Sequence, residues 1–185
     1  MGKTVVVYDS KYGWTQRYAR WIAQELGCEM FTRKQVNIQL IGEGDLLIYG
    51  GGLYAGGLSG LSFVKRYLRR YPQRRVVLFT CGLADPALAV NEKNIRTSLA
   101  KALPPSMQKQ IRLFHFQGGI DYTRLSFVHR AMMEMMRRVL QKKDVSQRTE
   151  EDQAVLDTYG TRLDLTDQSS IQPLIQYVRR REPQV

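Results

Sequence analysis

The sequence predicts an α/β protein built on a parallel sheet, and three observations carry that prediction. Short runs of β-branched and aromatic residues, at positions 4–8, 45–50, 76–80 and 112–117, read as strands buried on both faces. Segments with helical spacing lie between them, so strand and helix alternate as in βαβ units. The length, 185 residues with 43% apolar and 24% charged side chains, suits one folded domain spanning 1–185 and excludes disorder and collagen-like structure.

Each element has its own warrant. Residues 4–8 are a continuous β-branched and aromatic run, which suits a buried parallel strand. Trp14–Leu26 then repeats apolar residues at Tyr18, Trp21, Ile22 and Leu26, and Gly27 closes the helix. Residues 29–33 are a short strand candidate, and 36–41 a weak turn of helix. Leu46, Leu47, Ile48 and Tyr49 form the next buried strand, followed by the glycine-rich stretch GGGLYAGGLSG, read as a loop. Residues 61–71 are helical until Pro72 stops them. A strand at 76–80, a helix at 86–103 ended by Pro104 and Pro105, and a strand at 112–117 complete the alternation. The last third departs from it: 124–143 reads as one long amphipathic helix, then comes the polar stretch SQRTEEDQ. A final helix at about 168–180 takes Thr166 or Asp167 as its cap.

Charge is the unusual feature of the composition. The formal net charge is +11, which points to a polyanionic partner: nucleic acid, an anionic membrane surface or an acidic ligand. Cys28 and Cys81 are too few for a disulfide framework and too far apart for a metal pair, so they read as buried thiols in a reducing compartment, and no metal is expected. The apolar run near the N-terminus is too short for a signal-peptide core, and Val6 stands where a myristoylation motif needs Ser or Thr. A cytoplasmic protein is expected, with a peripheral position at the inner face of a membrane left open.

The loop after the first strand carries the chemistry. Ser10 and Thr15 offer hydroxyls, Gly13 allows a tight turn, and the helix starting near Trp14 directs its amides back at the loop. Together these form an anion nest suited to a phosphate monoester. The same residues also suit an ordinary strand-to-helix turn. The segment VVYDSKYGWT matches the flavodoxin signature, with Val6, Val7, Tyr8, Ser10, Gly13 and Thr15 at its specified positions. The chain therefore resembles the flavodoxin superfamily. That resemblance implies a flavodoxin-like three-layer sandwich with a five-stranded parallel sheet of order 2-1-3-4-5, and FMN as cofactor. It implies phosphate binding by Ser10, Lys11, Tyr12, Gly13, Trp14 and Thr15. Tyr12 departs from the pattern, since many members carry a hydroxyl residue there. By the same resemblance the flavin ring meets Gly51, Gly52, Leu53, Tyr54, Ala55 and Gly56 on one side, with Tyr54 as the stacking aromatic. On the other side it meets Thr80, Cys81, Gly82 and Leu83. Tyr54 can equally pack on its own loop. Cys81 has no basic neighbour in sequence to lower its pKa, so it reads as inert.

Short flavodoxins are mostly acidic and end soon after the fifth strand. This chain is basic and carries an insertion at about 118–164, after or within the fifth-strand region. In its helix, Leu125, Val128, Met132, Met135, Met136 and Val139 fall on one face, while Arg124, Arg130, Arg137, Arg138, Lys142 and Lys143 face a single acid, Glu134. This face either covers the domain or meets anionic lipid, a quinone or an acidic, greasy substrate. The architecture resembles the menaquinone-dependent protoporphyrinogen oxidases and their flavodoxin-domain relatives. Their second loop carries Arg and hydroxyl residues where this chain has Gly52 and Tyr54. The resemblance implies an FMN-dependent oxidoreductase that passes electrons from a tetrapyrrole-type substrate to a quinone or other acceptor, with no side chain as catalytic acid or base. A flavodoxin-like electron carrier docking on a redox partner protein is the alternative, and a basic binding module without flavin the third. The run KRYLRRYPQRR reads as the solvated face of a helix whose Leu61, Val64 and Leu68 pack inward, which ranks nucleic acid below the other partners. His115 reads as a satisfied core residue, and His129 as too isolated for proton transfer.

Overall fold

A computed structural model describes residues 3–41, 46–54 and 57–180, with the side chains of Leu40 and Glu151 set aside. The described residues up to Gly118, together with those from Thr166 onward, form one compact unit; Gly119–Leu165 form a second.

In the first unit, β1 (Thr4–Asp9), β2 (Glu29–Thr32), β3 (Leu46–Tyr54), β5 (Val76–Gly82) and β6 (Ile111–Gln117) make a parallel sheet ordered β2-β1-β3-β5-β6. A two-residue strand, β4 (Gly57–Leu58), turns back antiparallel on the end of β3. Counting only the parallel strands, this is the order 2-1-3-4-5. Side chains alternate across the sheet, so each strand feeds two cores. On one face Val5, Val7, Leu47, Tyr49, Val76 and Leu78 pack with α2 (Leu61–Arg70) and α3 (Ala89–Ala102). On the other, Val6, Tyr8, Ile48, Val77, Phe79 and Cys81 pack with α1 (Trp14–Leu26) and α7 (Gln172–Arg179). The three layers are thus helix, sheet, helix.

Several boundaries differ from the sequence reading, each for a physical reason. The glycine-rich stretch is strand as far as Tyr54, because β1 pairs with it to Gly51, β5 to Gly52, and β4 with Leu53 and Tyr54. A Cβ at Gly50 would stand 2.0 Å from the Phe79 ring, so the bare backbone makes room for that side chain. The helix expected from residue 86 begins at Ala89, since Asp85 first holds a turn by accepting the Ala87 N–H at 2.9 Å. The two prolines that end α3 start the one-turn helix α4 (Pro105–Gln108), with Pro105 at its first position. The final helix is split: Asp167 caps a 3-10 turn at Gln168–Ile171 and α7 follows. In α2, Leu61, Phe63, Val64, Tyr67 and Leu68 are buried, so its basic residues form the outer face.

The second unit has its own short elements. β7 (Gly119–Asp121) and β8 (Arg162–Asp164) pair antiparallel across its base, and neither was legible in the sequence. The long helix, α5 (Phe127–Lys142), starts after Arg124 because residues Tyr122–Arg124 form a 3-10 turn and Ser126 caps the helix. The stretch read only as polar contains α6 (Glu150–Asp157), set by a reciprocal capping box between Thr149 and Asp152. Leu140, on the inner side of α5, is buried; Val128, Met135, Met136 and Val139 are exposed. The apolar stripe that periodicity placed on one face, either packed or open to a partner, is therefore only partly covered.

Candidate functional site

Parallel strands bring their carboxyl ends to one edge, and the loops there are where an open α/β sheet binds ligands. At this edge β1 runs into Ser10, Lys11, Tyr12 and Gly13, and α1 follows at once. Gly13 is the N-cap of α1, with φ of 97°, a left-handed conformation that favours glycine. No side chain caps the helix, and its first internal bond runs from the Arg17 N–H to the Gly13 carbonyl at 3.0 Å. The amides of Trp14, Thr15 and Gln16 precede that bond, so they are the helix's orphan donors. The Gly13 N–H donates to the Ser10 hydroxyl oxygen at 3.1 Å, which leaves that hydroxyl's proton to donate outward. Amides, a hydroxyl and a helix dipole converge on this loop, a donor set that fits an anion such as a phosphate. The Trp14 indole nitrogen is buried without a hydrogen-bond partner, a further donor on the same turn. The Lys11 ammonium lies 5.6 Å from the Tyr12 ring centroid.

Beside this loop stands the end of β3. Gly51 and Gly52 are buried strand residues. A Cβ at Gly52 would stand 2.6 Å from the Tyr54 hydroxyl oxygen, so the Tyr54 side chain folds back over bare backbone. Its hydroxyl accepts the Lys11 N–H at 3.4 Å, and Tyr12 meets its ring edge-on at 5.8 Å between centroids. Burial pushes the Tyr54 hydroxyl up to about 12, so it is neutral at physiological pH. Leu53 is half-buried next to Gly82. Ala55 and Gly56 lie outside the described residues.

Ser59, which the sequence reading passed over, ties these two segments together. Its hydroxyl accepts the Gly52 N–H at 3.0 Å and donates to the Asp9 carbonyl at 3.1 Å. Asp9 itself pairs with Arg33 at 2.8 Å. The only hint in sequence was its place inside a glycine-rich turn.

The third segment divides. Thr80 is buried, and its hydroxyl lies 2.8 Å from His115 Nδ1, on the face of the sheet away from Cys81. Its side chain is therefore occupied inside the fold and not presented to the loops. Cys81 faces the opposite layer, where the Thr15 side chain bonds its thiol, and burial pushes that thiol up to about 12. This is the environment of an inert cysteine. It also shows that Thr15, itself buried, turns its hydroxyl inward and contributes to the loop through its amide. Gly82 accepts the Gly118 N–H at 2.6 Å and Leu83 accepts from the Gln117 side chain at 3.0 Å, which fixes this strand end to β6. Among the described residues no group of three His, Cys, Asp or Glu side chains is placed to hold a metal ion. No described helix is long and apolar enough to cross a membrane.

A family model for the flavodoxin domain matches residues 5–147. No curated protein matches the chain. Among solved structures, a flavodoxin from the domain Archaea is 13% identical, with 62% of this chain and 82% of that one covered and a TM-score of 0.43. A short-chain flavodoxin associated with a non-canonical PDU bacterial microcompartment is 17% identical, with 55% and 76% covered and a TM-score of 0.38.

Proposed function

This chain belongs to the flavodoxin-domain family and its cofactor is FMN; from that premise we propose that the loop opening α1 holds the FMN phosphate and that the protein is an FMN-dependent oxidoreductase. The observation that carries this reading is the uncapped N-terminus of α1, with Gly13 left-handed and the Ser10 hydroxyl set beside it. Ser10, Lys11, Tyr12, Gly13, Trp14 and Thr15 would bind the phosphate, mostly through amides. Gly51, Gly52, Leu53 and Tyr54 would flank one side of the ring system, and the backbone of Cys81, Gly82 and Leu83 the other. Bound FMN supplies one- or two-electron transfer. The protein binds and orients it and keeps nearby side chains out of acid-base chemistry. Burial holds the Cys81 thiol and the Tyr54 hydroxyl protonated at neutral pH.

The finer reading follows the protoporphyrinogen oxidase branch, with electrons passing from a tetrapyrrole-type substrate to a quinone or other acceptor. It is supported by the resemblance of the basic, Met-rich insertion between β6 and the last helix. A flavodoxin-like electron carrier is the second reading, favoured by the same scarcity of titrating side chains at the loops. The purified chain is expected to be yellow and to rebind FMN after its removal. Ser10→Ala is expected to weaken FMN binding by about tenfold, the scale of one charge-assisted hydrogen bond. Flavin fluorescence titration measures both, and a chain that takes up no FMN overturns the proposal. Anaerobic mixing with protoporphyrinogen separates the two finer readings: reduction of the flavin supports the oxidase, while electron exchange with a protein partner alone supports the carrier.

A further inference from the structure

One side of helix α5 is covered and its main apolar side is not. Leu140 is buried, and the Tyr159 ring lies 5.0 Å from the Arg137 guanidinium while its hydroxyl donates to Glu134 at 2.9 Å. The other side carries Val128, Met132, Met135, Met136 and Val139, which recur at i, i+4, i+7, i+8 and i+11. Val128 is 63% exposed, Met135 64% and Val139 62%, and Phe127 at the start of the helix is 87% exposed. Of the large apolar side chains that stand exposed among the described residues, most belong to this one helix. A contiguous apolar strip of this kind marks an interaction surface.

The charges beside the strip select its partner. Arg138 and Lys142 stand one turn beyond Met135 and Val139 on the same side, and Arg124 and Arg130 are exposed near the start of the helix. Glu134, the only acid of α5, is engaged by Arg137 and Arg138 at 2.8 Å, and those guanidinium groups hold its carboxyl down at about 2. The helix therefore offers aliphatic and thioether groups edged by cations, on a chain of net charge +11. Two copies of this strip would bring the cationic edges together, which disfavours self-association. Nucleic acid has no use for the aliphatic strip, since its binding rests on phosphate contacts and base stacking.

We infer that α5 docks this protein on the surface of an anionic lipid bilayer, lying in the interface with Phe127, Val128, Met135 and Val139 among the acyl chains and Arg124, Arg138 and Lys142 at the headgroups. The inference stands on the second unit alone and does not depend on the flavin reading.

The test is co-sedimentation of the full FMN-loaded chain with vesicles of phosphatidylcholine, or of equal parts phosphatidylcholine and phosphatidylglycerol. Binding is expected to the anionic vesicles and to weaken with salt. The double variant Met135→Glu, Val139→Glu is expected to bind about tenfold more weakly or worse, with its circular dichroism and melting unchanged because both positions are exposed. Phe127→Trp is expected to be quenched by brominated lipid, which reads insertion directly and does not need a destabilising change. Absence of binding to anionic vesicles overturns the inference, as does equal binding by the double variant. So does a wild-type dimer in sedimentation velocity that the double variant converts to monomer, which would assign the strip to a second copy.

Discussion

His115 and Tyr18 show how single polar groups serve this fold. His115 Nδ1 meets the Thr80 hydroxyl at 2.8 Å, while its Nε2 is buried without a partner. The sequence reading of a satisfied core histidine thus holds for one nitrogen only. Burial, then the Arg96 guanidinium on α3, lowers its pKa to about 4, with Glu92 opposing. An unfolded chain protonates a histidine near 6.5, so between about 6.5 and about 4 it binds a proton that the folded chain refuses. Stability from this group is present above about pH 6.5 and falls as the pH drops through that window. Urea midpoints measured across the window are expected to decline with acid, and His115→Gln is expected to flatten the slope. An unchanged slope in the variant counts against this account. Tyr18 is equally placed by tertiary structure: its hydroxyl donates to the Gln117 carbonyl at 2.6 Å and accepts the Asp167 N–H at 3.0 Å. Periodicity identified Tyr18 as a core residue but carried no information about those two partners, which lie about a hundred residues or more away in sequence.

Elements with a strong local signal were legible, and those fixed by pairing were not. Trp14–Leu26 shows a 3.6-residue apolar period with a glycine stop, and Gly27 is indeed left-handed, with φ of 61°. The glycine-rich stretch carries the opposite local signal, yet β1 and β5 draw Gly50, Gly51 and Gly52 into the sheet. α6 was hidden by its polar composition, although its cap was readable in Thr149 and Asp152. The Thr149 hydroxyl accepts the Asp152 N–H at 3.1 Å, the Asp152 carboxylate accepts the Thr149 N–H at 3.0 Å, and Lys143 reaches the same carboxylate at 2.6 Å. Thr149→Ala is expected to destabilise the second unit by about 1 kcal/mol. The loss should show as faster amide exchange across Glu150–Asp157, with exchange in β1 and β3 unchanged.

At the scale of the molecule, the insertion enters and leaves the first unit at one place. Gln117 and Asp167, just outside its ends, share the Tyr18 hydroxyl. A short loop can therefore replace Gly119–Leu165 without moving β6 or α7. Such a shortened chain is expected to fold and to bind FMN within a few-fold of the full chain, since residues 10–15, 51–54 and 81–83 all belong to the first unit. Fluorescence titration checks this, and loss of FMN binding in a chain that still melts cooperatively would show that the second unit supports the flavin loops. The excess of positive charge is shared between the units: the α2 run clothes the outer face of a packed helix, while the α5 cations edge the exposed strip.

The strand and helix alternation, the family and the loop proposed to hold the phosphate were all legible from sequence, because each is written in local periods or in residues a few positions apart. The tertiary structure decided which of those residues have side chains available at the site. Thr15 was read as a hydroxyl donor to the loop and Thr80 as a residue beside the ring, but the packing of α1 turns Thr15 to Cys81, and the register of β5 with β6 sets Thr80 beside His115. It also decided which stripe of α5 is covered, since a helix carries its apolar period whether or not another surface meets it. Only packed neighbours separate a core face from a docking face.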